Sequence, residues 1–103
     1  MSLVSKSLRN SARGQSCTLR IDCCNNNPET TVLAHLNIKG MRGMGQKGDD
    51  NMAVFACSDC HDRLDSRTNG GVDLADQLRA LAETQRIWRD KGFLMVKGDL
   101  NDN

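Results

Sequence analysis

Aromatic side chains are nearly absent from this sequence: among 103 residues there are only Phe55, Phe93 and Trp88. The apolar fraction is 38%, so the core is thin, although a chain of this length ordinarily buries roughly two-thirds of the surface its unfolded form exposes. Long hydrophobic runs are missing as well, and nothing reaches the ~18 apolar residues that would suggest a membrane span. Residues 1–21 hold no apolar stretch of the kind a secretory signal requires, which predicts a cytoplasmic, reducing setting. An excess of one charge is also lacking. The formal net charge is +1, which gives no bulk electrostatic argument for a nucleic-acid partner. The length predicts a single domain over 1–103, since a second would fall below the usual domain size. What the chain does have is five cysteines. Small domains with poor cores commonly need a disulfide or a metal as a staple, and in a reducing compartment clustered cysteines bind metal more often than they form disulfides.

The charges that exist are unevenly spread. Residues 1–21 carry Lys6, Arg9, Arg13 and Arg20 with no acid, and residues 36–48 carry Lys39, Arg42 and Lys47, again with none. The acids gather later, at Asp49–Asp50, Asp62–Asp65 and the tail from Asp99. This distribution permits a nucleic-acid partner and equally fits solvated surface charge.

Leu3, Val4, Leu8 and Ala12 suggest a short helix with a basic outer face, stopped by Gly14. Asn25-Asn26-Asn27-Pro28-Glu29 is turn chemistry and contains the only proline. Thr30 to His35 reads as a strand rich in β-branched residues. Gly40, Gly43, Gly45 and Gly48 mark residues 36–50 as a loop that matches no phosphate-binding fingerprint. Met52 to Ala56 is a second apolar strand, and a helix beginning near Ser58 runs toward Arg67. Asp73 offers an N-cap for the strongest helix, in which Leu74, Leu78, Leu81, Gln85 and Trp88 recur as a core face or dimer seam and Gly92 ends the element. Phe93 to Lys97 suggests a terminal strand, and the last six residues are expected to be loose.

Cys57-Ser58-Asp59-Cys60 places two thiols on one tight turn where both can face a single ion. Cys17 with Cys24, or with Cys23 as the alternative, supplies a second pair about 32 residues away along the chain. Four such thiolates complete the tetrahedral shell of Zn²⁺ and make a closed, structural site; disulfides or free buried thiols are the alternatives. Cys57 to His61 also spells the C-x-x-C-H haem-attachment motif. Haem would need export, an axial partner and an apolar wall, which this composition argues against. Of the two histidines, His35 ends a strand and His61 lies four residues before Asp65, so that pair shares one helix face. An imidazole and a carboxylate so placed can hold a divalent cation from one side.

A strand ending in His35, a glycine-rich loop, Asn51 before an apolar strand, and then C-x-x-C-H opening a helix resembles the HNH (His-Me finger) endonucleases. The stretches Ala12-Arg13-Gly14, Cys24 to Thr30, Val32 to His35 and Ala56 to Asp62 resemble, in the same order, the small prophage-encoded nucleases of the YbcO type. The likeness covers about residues 8–90. It implies an α+β fold, a zinc-stapled ββα core with an additional C-terminal helix, and it favours Cys24 over Cys23 as the fourth ligand. It implies His35 as general base, Asn51 as the residue that holds the loop and orients the base, and His61 as a ligand of a catalytic ion, with Asp65 as a further ligand and Asp62 in reserve. That ion would be Mg²⁺, Mn²⁺ or Zn²⁺. Phosphodiester hydrolysis needs a deprotonated nucleophile, charge neutralisation at phosphorus and help for the departing 3′ oxygen. A histidine supplies the first and a metal ion the other two. One departure stands out: many HNH enzymes carry a metal-binding Asp or His just before the base, where this chain has Ala34.

The leading expectation is therefore a metal-dependent DNA endonuclease with a four-cysteine zinc. Phosphates would be contacted by Arg13, Arg20, Lys39, Arg42 and Lys47, giving salt-dependent and largely sequence-independent binding. The alternatives are a non-catalytic zinc module that binds nucleic acid or a phage recombination or replication protein, and a structural protein that forms a homodimer through the Leu74–Trp88 helix.

Overall fold

The computed structural model describes residues 3–38, 49–65 and 71–95. Most of the glycine-rich loop, with Lys39, Arg42 and Lys47, lies outside the described residues, as do Val96 and Lys97.

The chain begins with helix α1 (Lys6–Ser11), a shorter element than Leu3–Ala12. Ser5 caps it by accepting a hydrogen bond from the Leu8 amide, and Gly14, at φ +73°, sits just beyond its end. A single 3-10 turn (Pro28–Thr30) takes up the start of the expected first strand, because Asn27 caps the Glu29 amide and Pro28 presets the turn. Strand β1 (Val32–His35) then pairs antiparallel with β2 (Ala53–Ala56), with Val32 opposite Ala56 and His35 opposite Ala53. Helix α2 (Ser58–Asp65) follows β2 directly, and helix α3 (Leu74–Asp90) completes this small α+β fold.

Each face of the two-stranded sheet has its own core. Ala34, Val54 and Ala56 pack with Cys57, Cys60 and Leu64 of the α2 side, together with Cys17, Leu19, Leu36 and Ala80. Phe55 and Leu33 face the other way, against Leu8 and Ala12 of α1 and Trp88 of α3. Phe55 and Trp88 meet edge to face at 5.8 Å, a geometry the ring quadrupoles favour. The outer edge of β2 is covered by residues 18–19, whose amides both donate to the Phe55 carbonyl (2.8 and 3.4 Å).

Helix α3 corrects the expected apolar stripe. Its buried residues are Gln77, Ala80, Thr84 and Trp88, whereas Leu74 and Leu78 are about half exposed (54% and 49%). The helix turns polar groups inward because the edges it covers need partners. Thr84 Oγ1 lies 2.8 Å from Thr18 Oγ1 and accepts from the Phe55 amide at 3.4 Å. Gln77 accepts from the Asn37 amide and donates to the Val72 carbonyl. At its C-terminus, Phe93 and Gly92 donate to the carbonyls of Trp88 and Arg89, with Gly92 left-handed at φ +81°. This is a Schellman closure. It brings Leu94 back against the Trp88 cluster while Phe93 stays exposed, and residues 93–95 form no strand.

Candidate functional site

The four thiols of Cys17, Cys24, Cys57 and Cys60 come together, with all four Sγ atoms within 4.8 Å of one another. Cys24 Sγ and Cys57 Sγ are 3.8 Å apart, close to the ~3.8 Å edge of a tetrahedron with 2.3 Å arms. Two turns of the same kind build the site. The Cys60 amide donates to Cys57 Sγ at 3.4 Å, and the Arg20 amide donates to Cys17 Sγ at the same distance, three residues on in each case. Arg20 reaches this turn through a left-handed backbone, φ +41°. Cys17 thus stands on a knuckle equivalent to that of Cys57, and Cys24 follows where the second turn of chain returns. The Cys24 amide closes that return by donating to the Ile21 carbonyl at 2.9 Å. Cys23 points elsewhere, toward the Asp59 carbonyl at 3.5 Å, and stands outside the cluster.

The electrostatics of the four thiols are unequal. Burial would raise the Cys57 thiol, but the Asn25 and Cys60 amides aimed at its sulfur bring it down to about 7. Burial pushes Cys60 far up, and the neighbouring Cys57 and Cys17 add to that. Burial likewise raises Cys24, with Cys17 adding to it. The Cys57 thiolate forms readily while Cys24 and Cys60 resist, because burial and nearby sulfurs disfavour further negative charge. A bound divalent cation removes that conflict, so the donor set fits a metal ion and leaves no open position for a substrate.

His35 lies at the end of β1 with its side chain about a quarter exposed (24%). Its Nε2 is 2.8 Å from Oδ1 of Asp50, a fully buried carboxylate. The other oxygen, Oδ2, accepts from the Ser5 amide at 2.7 Å and from Arg9 Nε at 2.8 Å. Burial alone would raise the Asp50 pKa; the hydrogen bonds from Arg9, Ser5 and His35 outweigh it and hold it below its ordinary value. Asp49 and the Asp50 amide also bind Leu3, so the start of α1 is fastened beneath the histidine. The sequence did not single out Asp50, which looks like one of a pair of surface acids. The available hint was that α1 carries Lys6 and Arg9 with no acid of its own.

Asn51 occupies the turn before β2 and gives its carbonyl to Gln85 Nε2 at 3.0 Å. His61 lies one turn into α2, with Nε2 3.1 Å from Asp65 Oδ2, and both side chains face outward. Among the described residues, no further His, Cys, Asp or Glu joins that pair into a three-ligand group. Asp62 is exposed. Ala34 is fully buried against the α2 side, while His35, the next residue of the strand, faces Asp50 and α1. The alternation of a strand therefore puts His35 and the residue before it on opposite faces. Asn37 Nδ2 donates to the Leu64 carbonyl at 3.2 Å, tying the chain just past His35 to the last turn of α2, where Asp65 stands. Of the expected phosphate contacts, Arg13 is exposed. Arg20 is engaged by both oxygens of Glu83 at 2.7 and 2.8 Å.

The family model described as "Putative nuclease YbcO" matches residues 6–93. Two relatives are each 45% identical over 91 residues, spanning 84% of this chain and 95% of their own length. They are "Putative nuclease YbcO" of Escherichia coli (strain K12) and "Putative nuclease ybcO" of Enterobacteria phage 82. A solved structure described as "Structure of a putative bacteriophage protein from Escherichia coli str. K-12 substr. MG1655" is 42% identical, covers 84% of this chain and 100% of that chain, and superposes with a TM-score of 0.64. No helix among the described residues is long and apolar enough to cross a membrane. The chain belongs to the YbcO nuclease family.

Proposed function

We propose that this YbcO-family chain is a metal-dependent endonuclease of the HNH (His-Me finger) type and of phage origin, hydrolysing phosphodiester bonds in DNA. The observation that carries the reading is His35, a partly exposed histidine at a strand end, held by a buried carboxylate in a β1–β2–α2 succession. A histidine so held can take the proton of an attacking water. His61 and Asp65 offer two donors for a divalent ion, Mg²⁺, Mn²⁺ or Zn²⁺, which when bound neutralises phosphate charge and assists the departing oxygen. Asn51 supports the turn from which β2 starts, and through it the position of Asp50. Cys17, Cys24, Cys57 and Cys60 would hold a structural Zn²⁺ that joins the N-terminal segment to the β2–α2 junction. Arg13 together with Lys39, Arg42 and Lys47 would contact phosphates, with Arg20 acting mainly as a brace to Glu83.

A second reading is a non-catalytic zinc module that binds nucleic acid or a phage recombination or replication protein. Ala34 favours it, since an apolar, fully buried residue stands where many HNH enzymes place a metal ligand. The exposed Leu74 and Leu78 would carry a homodimer contact, which light scattering would register.

Nicking of supercoiled plasmid separates the two readings. The assay compares wild type with His35→Ala in EDTA, Mg²⁺, Mn²⁺ or Zn²⁺, after equal structural zinc has been verified in both. Metal-dependent nicking that the variant loses is the expected result. Absence of nicking by wild type, on plasmid and then on branched and single-stranded DNA, would favour the binding module.

A further inference from the structure

We propose that Asp50 is the positioning residue of His35, fixing the imidazole as its Nε2–H tautomer and leaving Nδ1 as the basic atom. This rests on the nuclease reading. Asp50 lies beside Asn51, the residue expected to orient the base, and the geometry shifts that task to the carboxylate. Among the described residues Asn51 makes no side-chain hydrogen bond and offers only its carbonyl, to Gln85.

Asp50 is fully buried, and the Ser5 amide and Arg9 Nε, which share Oδ2, can only donate. Arg9 is always protonated, so its hydrogen bond and charge stabilise an ionised carboxylate. An ionised carboxylate only accepts, so the His35 Nε2 that lies 2.8 Å from Oδ1 must carry a proton. In the neutral ring, Nδ1 then holds the lone pair. No described residue hydrogen-bonds Nδ1, and the side chain is 24% exposed, so a water molecule can reach it.

Nδ1 accepts one proton from the attacking water, and the resulting hydroxide oxygen forms the new bond to phosphorus. The bond from phosphorus to the 3′ oxygen breaks, its electron pair leaves on that oxygen, and solvent supplies the proton that neutralises it. The imidazolium so formed keeps its Nε2–H directed at Asp50. Arg9 is attached to the other side of the same carboxylate, which keeps Asp50 from rotating away. Helix α1, through Ser5 and Arg9, is thus part of the positioning apparatus, although it contributes no group to the reacting atoms.

The test combines plasmid nicking with a direct reading of the tautomer. With only two histidines in the chain, long-range ¹H–¹⁵N correlation of the imidazoles above neutral pH resolves both, and loss of one signal set in His35→Ala assigns it. Wild type should show Nε2–H. In Asp50→Asn the side-chain amide can donate to Nε2, so the ring should invert to Nδ1–H. Nicking should then fall by roughly 100-fold or more, as expected when a base is held in the wrong tautomer. Equal zinc content in the two proteins excludes a folding defect. Wild type with Nδ1–H, or Asp50→Asn nicking within threefold of wild type, overturns the proposal. If Asp50→Asn does not fold, the wild-type tautomer decides alone. If wild type never nicks, the nuclease reading fails by itself, and the tautomer inversion still decides whether Asp50 holds the ring.

Discussion

A buried carboxylate with three donors makes the fold sensitive to acid in a direction that can be worked out. Burial opposes ionisation of Asp50, and the donors Arg9, Ser5 and His35 outweigh it, so its folded pKa lies below its ordinary value of 3.8. A group shifted this way stabilises the fold fully above its unfolded pKa, and that contribution is lost as pH falls through the folded value. Arg9→Gln removes one lowering partner, so the acid loss should begin at a higher pH. At neutral pH the cost should be only about 1 kcal/mol, because Arg9 is 45% exposed and solvent screens its charge. Urea unfolding across the acid range would measure both effects, and superimposable pH profiles of variant and wild type would refute the assignment.

Among the elements, α3 shows what periodicity in a sequence can and cannot reveal. Its existence, its start after Asp73 and its end before Gly92 were legible from local signals, although the Asp73 side chain makes no capping hydrogen bond. Its inward face was not. The spacing of Leu74, Leu78 and Leu81 ranks residues by hydrophobicity, whereas α3 packs against backbone amides of Phe55 and Asn37 that donate to Thr84 and Gln77. Thr84→Val should therefore destabilise by about 1 kcal/mol, since it removes one of three hydrogen bonds of the buried Thr18 hydroxyl, which keeps those to the Phe55 carbonyl and amide. Leu78→Ala should change stability by only about 0.5 kcal/mol or less. Thermal or urea unfolding of the two variants tests this, and the reverse order would restore the leucine stripe as the core face. The same limit hid Asp50, fifteen positions from His35 along the chain, while both strands and the C-x-x-C turn were plain because their signals are contiguous.

At the scale of the whole molecule, the thiol cluster fastens two segments that are far apart in the sequence. A cluster assembled from 17, 24, 57 and 60 crosses the junction between the N-terminal loop and the start of α2. Metal affinity in such a site is folding free energy. Wild type and Cys23→Ser should each retain one equivalent of zinc per chain, because Cys23 stands outside the cluster. Cys60→Ser should lose the metal and lower the Tm by roughly 10 °C or more. Elemental analysis with thermal unfolding checks this, and metal loss in Cys23→Ser would reassign the fourth ligand. The resemblance favoured Cys24 where spacing alone discriminated only weakly, and the three-dimensional cluster includes Cys24 and not Cys23.

The long reach of α3 also bears on when the protein becomes itself. Trp88 donates to Ser11 across 77 positions and Thr84 meets Thr18 across 66, so both sides of the sheet are completed by the last helix. Contacts of such separation form late, after the cost of closing long loops has been met. While the ribosome is still making the first two-thirds of the chain, Phe55 has no Trp88 to pack against and the edge of β2 has no Thr84. The half-core of Leu8, Ala12 and Phe55 therefore closes only after α3 has been made and Trp88 is in place.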